Sequence, residues 1–369
     1  MSQVEEHYVN IGVPQATENQ SKVILDYRIS KGQDITFALQ NLTRNNLSGI
    51  SLLSNRKMFN SYHQPSFIYG TDTMTINETD LERLEVKYRQ VLRHMLSLPK
   101  YTKTSLIYFS IGILPLCAQR DLEILGVFGQ LAMCEDDKQT IRRVIENSLT
   151  FYDINFNGWS GLVRKTCLRY DLPDPLEYMM NPWRPDRWRQ FCKEKIVSSW
   201  DIKLKLKLDN SQQGKLLQIE ELSLSKPLQI WEQAGLHSSN VMKTSAVSWM
   251  LLGVYQTREK LKDMNLAKSA ECSGCPEKVS ESLEHLIFNC SYYQTIRETY
   301  LPQFIKINCK IVDILDNEHL KLLAILDPKS PKLPPDVRNN WSCATTAYQI
   351  SRNFCHDLHK KRKKLYEQT

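Results

Sequence analysis

The sequence predicts a mainly α protein: a helical bundle and connector, with a small β-hairpin at the start and a metal-binding module towards the end. Three observations lead there. Apolar residues recur at helical spacing through most of the chain, strand-like runs are clearest near the start, and cysteines cluster only in CSGCPEKVSESLEHLIFNC, residues 272–290.

Taken in order, HYVNIGV and KVILDYRI are rich in β-branched and aromatic residues and are separated by a polar stretch, which reads as a hairpin. From Thr79 the period changes. ETDLERLEVKYRQVLRHMLSLP sets Leu81, Leu84, Tyr88, Val91, Leu92 and Met95 on one face, with a capping box of Thr79 and Glu82 at its start and Pro99 at its end. Its other face carries Lys87, Arg89, Arg93 and His94, either a solvated face or a ridge that meets phosphate. A second helix follows Pro115, with Leu116, Arg120, Ile124, Phe128 and Leu131 turned towards the first.

LPDPLEYMMNPWRPD reads as a linker because its four prolines break helical pattern. DRWRQFCKEKIVSSW is again helical, while DIKLKLKLDN alternates and is ambiguous between helix and strand. AVSWMLLGVYQTREKLKDMN is a helix leading into the cysteines. DPKSPKLPPDV is a spacer, and a last helix runs from about Asn340 to Leu365.

The composition is that of an ordered globular chain: 369 residues, 41% hydrophobic and 24% charged. Its start, MSQVEEHYVN, is acidic, and no apolar run approaches the ~18 residues of a membrane span. The expected class is an intracellular protein, nuclear or cytoplasmic, neither secreted nor in the membrane. Cys117, Cys134, Cys167, Cys192, Cys309, Cys343 and Cys355 are scattered singly, which fits a reducing compartment. Net charge is +7, with Lys360, Lys361, Arg362, Lys363 and Lys364 in one block near the end. Such an excess favours phosphate backbones or acidic surfaces.

Cys272 and Cys275 can point two thiolates at one ion from a tight turn, which Gly274 is expected to permit. His285 and Cys290 are five residues apart, so an unbroken α-helix would turn them about 140° away from each other. The helix must therefore unwind near Asn289. Three thiolates and an imidazole in a closed tetrahedral set suit one structural Zn²⁺, with no vacant position for a catalytic water.

With that motif in hand, residues 249–290 resemble the C-terminal zinc-binding region of non-LTR retrotransposon polyproteins. Leu252, Gly253, Tyr255, Glu284, His285 and Leu286 stand at the matching places. FIYGTDTM and the helices after it resemble the thumb and connecting region that follows the palm of the same elements' reverse transcriptases, through Tyr69, Gly70, Leu98, Pro99, Gly112, Leu114 and Pro115. Asp72, Thr73 and Met74 depart from that family's Glu-Thr-Trp.

The resemblance implies a non-catalytic remnant or separately expressed piece, beginning near the end of the palm. It divides into a palm edge over 1–60, a thumb-like helical region over 61–150, a helical connector over 151–240, a zinc module over 241–305 and a C-terminal segment with a basic tail over 306–369. Expected partners are RNA or DNA backbone, as template-primer duplex or target DNA, and the remainder of a polyprotein. Lys87, Arg89, Arg93, Lys100, Lys103 and the basic tail are the expected phosphate contacts. Tyr292 and Tyr293 are either base-stacking or core residues.

No catalytic residue is identified. Polymerase chemistry needs a Phe/Tyr-x-Asp-Asp turn to hold two Mg²⁺ ions, and Asp136-Asp137 has no strand before it. Pro335-Asp336 supplies half of a nuclease pattern, but the next acid, Asp357, is too distant. Two rival readings are a zinc-stabilised helical scaffold for protein partners and a decayed element copy. A thumb without its palm is also expected to expose apolar side chains.

Overall fold

The computed structural model describes residues 8–10, 13–15, 19–44, 51–134, 139–151, 158–209, 211–235, 238–314 and 316–367. Strands β1 (Tyr8–Asn10) and β2 (Val13–Gln15) pair antiparallel, Val9 opposite Pro14. The hairpin thus exists, but between the first strand-like run and the start of the polar stretch that follows it. KVILDYRI instead opens α1 (Gln20–Arg44). Its fully buried residues Ile24 and Leu25 are followed by buried Arg28 and Gly32, a four-residue step that makes a helical face.

A nearly continuous helical rod follows: α2 (Leu52–Met58), a π turn over Phe59–His63, and α3 (Gln64–Ile68). α4 (Glu78–Met95) buries Leu84, Tyr88 and Leu92 at four-residue steps. Its cap is Asn77, whose side chain accepts from the Asp80 N–H at 2.8 Å, two residues before the Thr79 cap expected from sequence. α5 (Thr104–Ile111) ends at Gly112 with φ of +66°, where a Cβ would lie 2.4 Å from the Lys226 backbone. Only glycine fits there.

α6 (Leu116–Ala132) has no cap of its own. Buried Glu85 of α4 accepts from the Cys117 and Leu116 N–H groups at 3.0 and 3.3 Å and from the Tyr108 hydroxyl, so one carboxylate joins α4, α5 and α6. Arg120 donates to the Thr71 and Met74 carbonyls, clamping the Tyr69-Gly70 loop to α6.

Next come α7 (Gln139–Phe151), α8 (Trp159–Arg169), α9 (Pro175–Met180), α10 (Pro185–Leu206) and α11 (Gln229–Glu232). The proline-rich linker is therefore partly helical: Asp174 caps α9 and Pro175 takes its first position, where a missing N–H costs nothing. The ambiguous lysine-leucine run belongs to the end of α10. Leu204 and Leu208 are buried, four apart, while Leu206 between them is 66% exposed.

Then come α12 (Ser238–Leu251), α13 (Arg258–Asp263), α14 (Gln294–Ile307), α15 (Glu318–Leu326), α16 (Pro335–Asn339) and α17 (Ala344–Glu367). The single helix expected before the cysteines is two helices, α12 and α13. Gly253, φ +68°, stops α12 in a Schellman motif, with Val254 N–H donating to Trp249 O and Gly253 N–H to Met250 O. α17 packs on α12, α14 and α15, and α6 packs on α10.

Within residues 61–150, Tyr62, Tyr69, Ile141 and Val144 are large side chains facing solvent. Among the described residues no helix is long and apolar enough to cross a membrane. Asp136-Asp137 lies outside the described residues. Asp336 is in the first turn of α16, and Asp357 accepts from the Tyr300 hydroxyl at 2.6 Å.

Candidate metal centre

Cys272 and Cys275 lie on a short loop closed by a bridge between Glu271 and Ser280, with the Cys272 N–H on Val279 O at 2.8 Å. The Gly274 N–H donates to Cys272 Sγ at 3.4 Å. Gly274 serves a different end from the one expected. Its backbone is not left-handed; a Cβ there would come within 3.1 Å of the Tyr292 side chain and 3.2 Å of Leu365. The glycine lets the loop approach α17.

His285 to Asn289 form a single π turn, closed by the Cys290 N–H on His285 O at 2.8 Å. A π turn bonds five residues apart instead of four, so the helix widens where unwinding was expected and brings residues 285 and 290 towards one ion. Cys290 then leaves in extended conformation. The Ser282 hydroxyl accepts from the His285 N–H at 3.1 Å, and buried Leu286 and Ile287 fix the turn to the core.

All four side chains are buried, and their ligand atoms lie within 4.8 Å of one another. Cys272 Sγ is 3.7 Å from Cys290 Sγ, and Cys275 Sγ is 3.5 Å from His285 Nε2. A tetrahedral ion with Zn–S of about 2.3 Å and Zn–N of about 2.0–2.1 Å requires edges of roughly 3.8 and 3.6 Å. The residues fit zinc. Burial pushes the three thiols up and the imidazole down, so loading the metal releases protons from the cysteines and finds His285 neutral. A closed set of four protein ligands holds one ion and performs no chemistry on substrate.

The residues that flank the cluster in sequence have structural roles. Buried Leu252 and half-buried Gly253 follow the end of α12, and the Tyr255 hydroxyl lies 3.2 Å from His359 Nδ1 of α17. Glu281, missed in the sequence reading, is completely buried beside the loop. It accepts from Arg362 Nε and Nη2 at 3.0 and 2.6 Å, from the Arg258 N–H at 2.9 Å and from the Tyr366 hydroxyl.

That network changes the reading of the basic tail. Arg362 is in a buried ion pair, and Lys361 donates to Tyr292 O at 2.7 Å with its ammonium 4.6 Å from the Tyr292 ring. Lys360, Lys363 and Lys364 are exposed, Lys363 beside Glu367. Tyr293 is fully buried, which leaves no face for a base. Further towards the start of the chain, Lys100 and Lys103 are exposed and Lys87 is half-buried on α4. Arg89 pairs with Glu82, and Arg93 points to Thr102 O. The two groups of cations are not drawn into one cluster by any described contact.

Residues 219–296 match the family described as zinc-binding in reverse transcriptase. No curated protein and no solved structure gave a match. The matched segment contains all four candidate ligands, so the family's zinc and the four-residue cluster coincide. This supports a protein related to reverse transcriptases, carrying a zinc module of their kind.

Proposed function

We propose that this protein is a nucleic-acid-binding module of retroelement origin, akin to the thumb-like and zinc-binding regions of non-LTR reverse transcriptases, with no polymerase or nuclease chemistry of its own. The observation that carries the reading is the family match over residues 219–296, seated on a Cys₃His cluster whose spacings suit zinc. Zinc fixes the loop; cations elsewhere meet the ligand. Lys87, Lys100 and Lys103 on one side, and Lys360, Lys363 and Lys364 on the last turns of α17, are available to neutralise phosphates of a template-primer duplex or of target DNA. Such contacts hold position and do not read bases.

Electrophoretic or fluorescence binding across a salt series tests this. If roughly four to six lysines engage duplex DNA, log K falls with log salt at a slope of about −4 to −5. Absence of binding to single-stranded RNA, hybrid duplex and DNA at about 50 mM salt, where phosphate contacts are strong, defeats the reading. The exposed Ile141, Val144 and Phe151 favour one second reading, a helical scaffold for a protein partner, whose binding would be insensitive to salt.

A further inference from the structure

Arg297 lies in the second turn of α14, seven residues beyond Cys290, and α14 packs on the π turn that carries His285. Its Nη1 is buried and has no hydrogen-bond partner. A buried guanidinium N–H without an acceptor is costly, more so than a neutral group because it carries charge. Something beside it must repay that cost.

The cluster provides a reason. Three thiolates and a neutral imidazole around Zn²⁺ leave one net negative charge in a buried site, and sulfur lone pairs accept N–H groups from outer residues. The Gly274 N–H on Cys272 and the Tyr292 N–H on Cys290 are neutral backbone donors, and no charged donor to the sulfurs is among the described hydrogen bonds. Through the packing of α14 on the π turn, Arg297 carries its charge on the side of the cluster that holds His285 and Cys290. Burial pushes its guanidinium down while Cys290 and Glu298 oppose the shift.

We propose that Arg297 is a positioning residue of the metal centre, its buried Nη1 offered to the thiolate side of the zinc cluster to balance the charge that the loaded site carries. It holds no metal itself. It lowers the tendency of the sulfurs to take up protons or electrophiles, and so retains the ion.

The test uses the full chain and Zn²⁺ in competition with a chromophoric chelator, comparing the native protein with Arg297→Met and Arg297→Lys. Arg297→Met preserves the aliphatic stem and should weaken zinc binding by about 10- to 100-fold, the usual cost of losing an outer-shell partner. Arg297→Lys, which keeps the charge, should stay closer to the native value. A purely structural side chain would not separate Met from Lys. Iodoacetamide alkylation of the zinc-loaded cysteines gives a second reading, faster in Arg297→Met and nearly native in Arg297→Lys. Native-like affinity and alkylation in Arg297→Met overturn the proposal, as does equal loss in both variants. Failure of the native chain to take up zinc at all would instead count against the metal assignment itself.

Discussion

Replacing Arg362 by Met removes a guanidinium that donates two N–H groups to one oxygen of the Glu281 carboxylate, which has no exposure to solvent. Breaking a buried pair from one side costs about 3–5 kcal/mol, because the remaining charge is left without compensation. Here the Arg258 N–H and the Tyr366 hydroxyl still face Glu281, and the Arg362 side chain is 13% exposed, so the lower end applies, about 3 kcal/mol. Hydrogen exchange followed by mass spectrometry reads this locally. Amide protection over residues 270–281 and 359–367 should fall roughly 100-fold, the equivalent of ~3 kcal/mol. The double variant Glu281→Gln with Arg362→Met eliminates the orphaned charge and should recover more than half of the loss. Protection in Arg362→Met within about threefold of native, under ~1 kcal/mol, would refute the argument, as would a double variant as weak as the sum of its parts. If Arg362 were instead a phosphate contact, nucleic-acid affinity would drop with local protection unchanged.

Charge removal at the exposed end of α17, Lys360→Gln with Lys363→Gln and Lys364→Gln, should reduce the salt slope of nucleic-acid binding by about 2 to 3 and leave zinc stoichiometry unaltered. Gly274→Ala should cost about 1–3 kcal/mol of docking between the loop and α17, seen as faster exchange in residues 359–367, because Tyr292 and Leu365 are already close. His63 is buried with Nδ1 unpartnered and its pKa pushed down to about 4 by burial. A depressed folded value means that stability is full above the unfolded pKa near 6.5 and is lost as pH falls towards 4, up to ~2 kcal/mol by pH 5. His63→Phe, stacking on Phe59 as the imidazole does, should flatten that part of the denaturation profile between pH 6.5 and 4.

The ligand set was legible because Cys272, Cys275, His285 and Cys290 are close in sequence and chemically unlike their surroundings. The geometry joining them was less so: five-residue spacing required a departure from the α-helix, and sequence alone could not distinguish unwinding from a π turn. In α1, β-branched composition favoured strand, while the buried step from Ile24 to Arg28 decided for helix. In α10 the alternation of leucine and lysine suggested a strand face, but tertiary packing selected Leu204 and Leu208 and left Leu206 outside. Least legible was the tail. Arg362 reads as one cation in a run until Glu281, 81 residues earlier, is seen beneath it. Pairing over such a distance leaves no local signature.

The central claim is a closed Cys₃His zinc centre that shapes this end of the fold. X-ray absorption at the zinc edge, with elemental analysis of the same sample, tests it most directly. About one zinc per chain is expected, with three sulfurs near ~2.3 Å and one nitrogen near ~2.0–2.1 Å, and both signals should be lost in Cys275→Ser as residues 265 to 300 loosen. A chain purified without zinc, or a first shell containing solvent oxygen in place of one of the four ligands, would contradict the account.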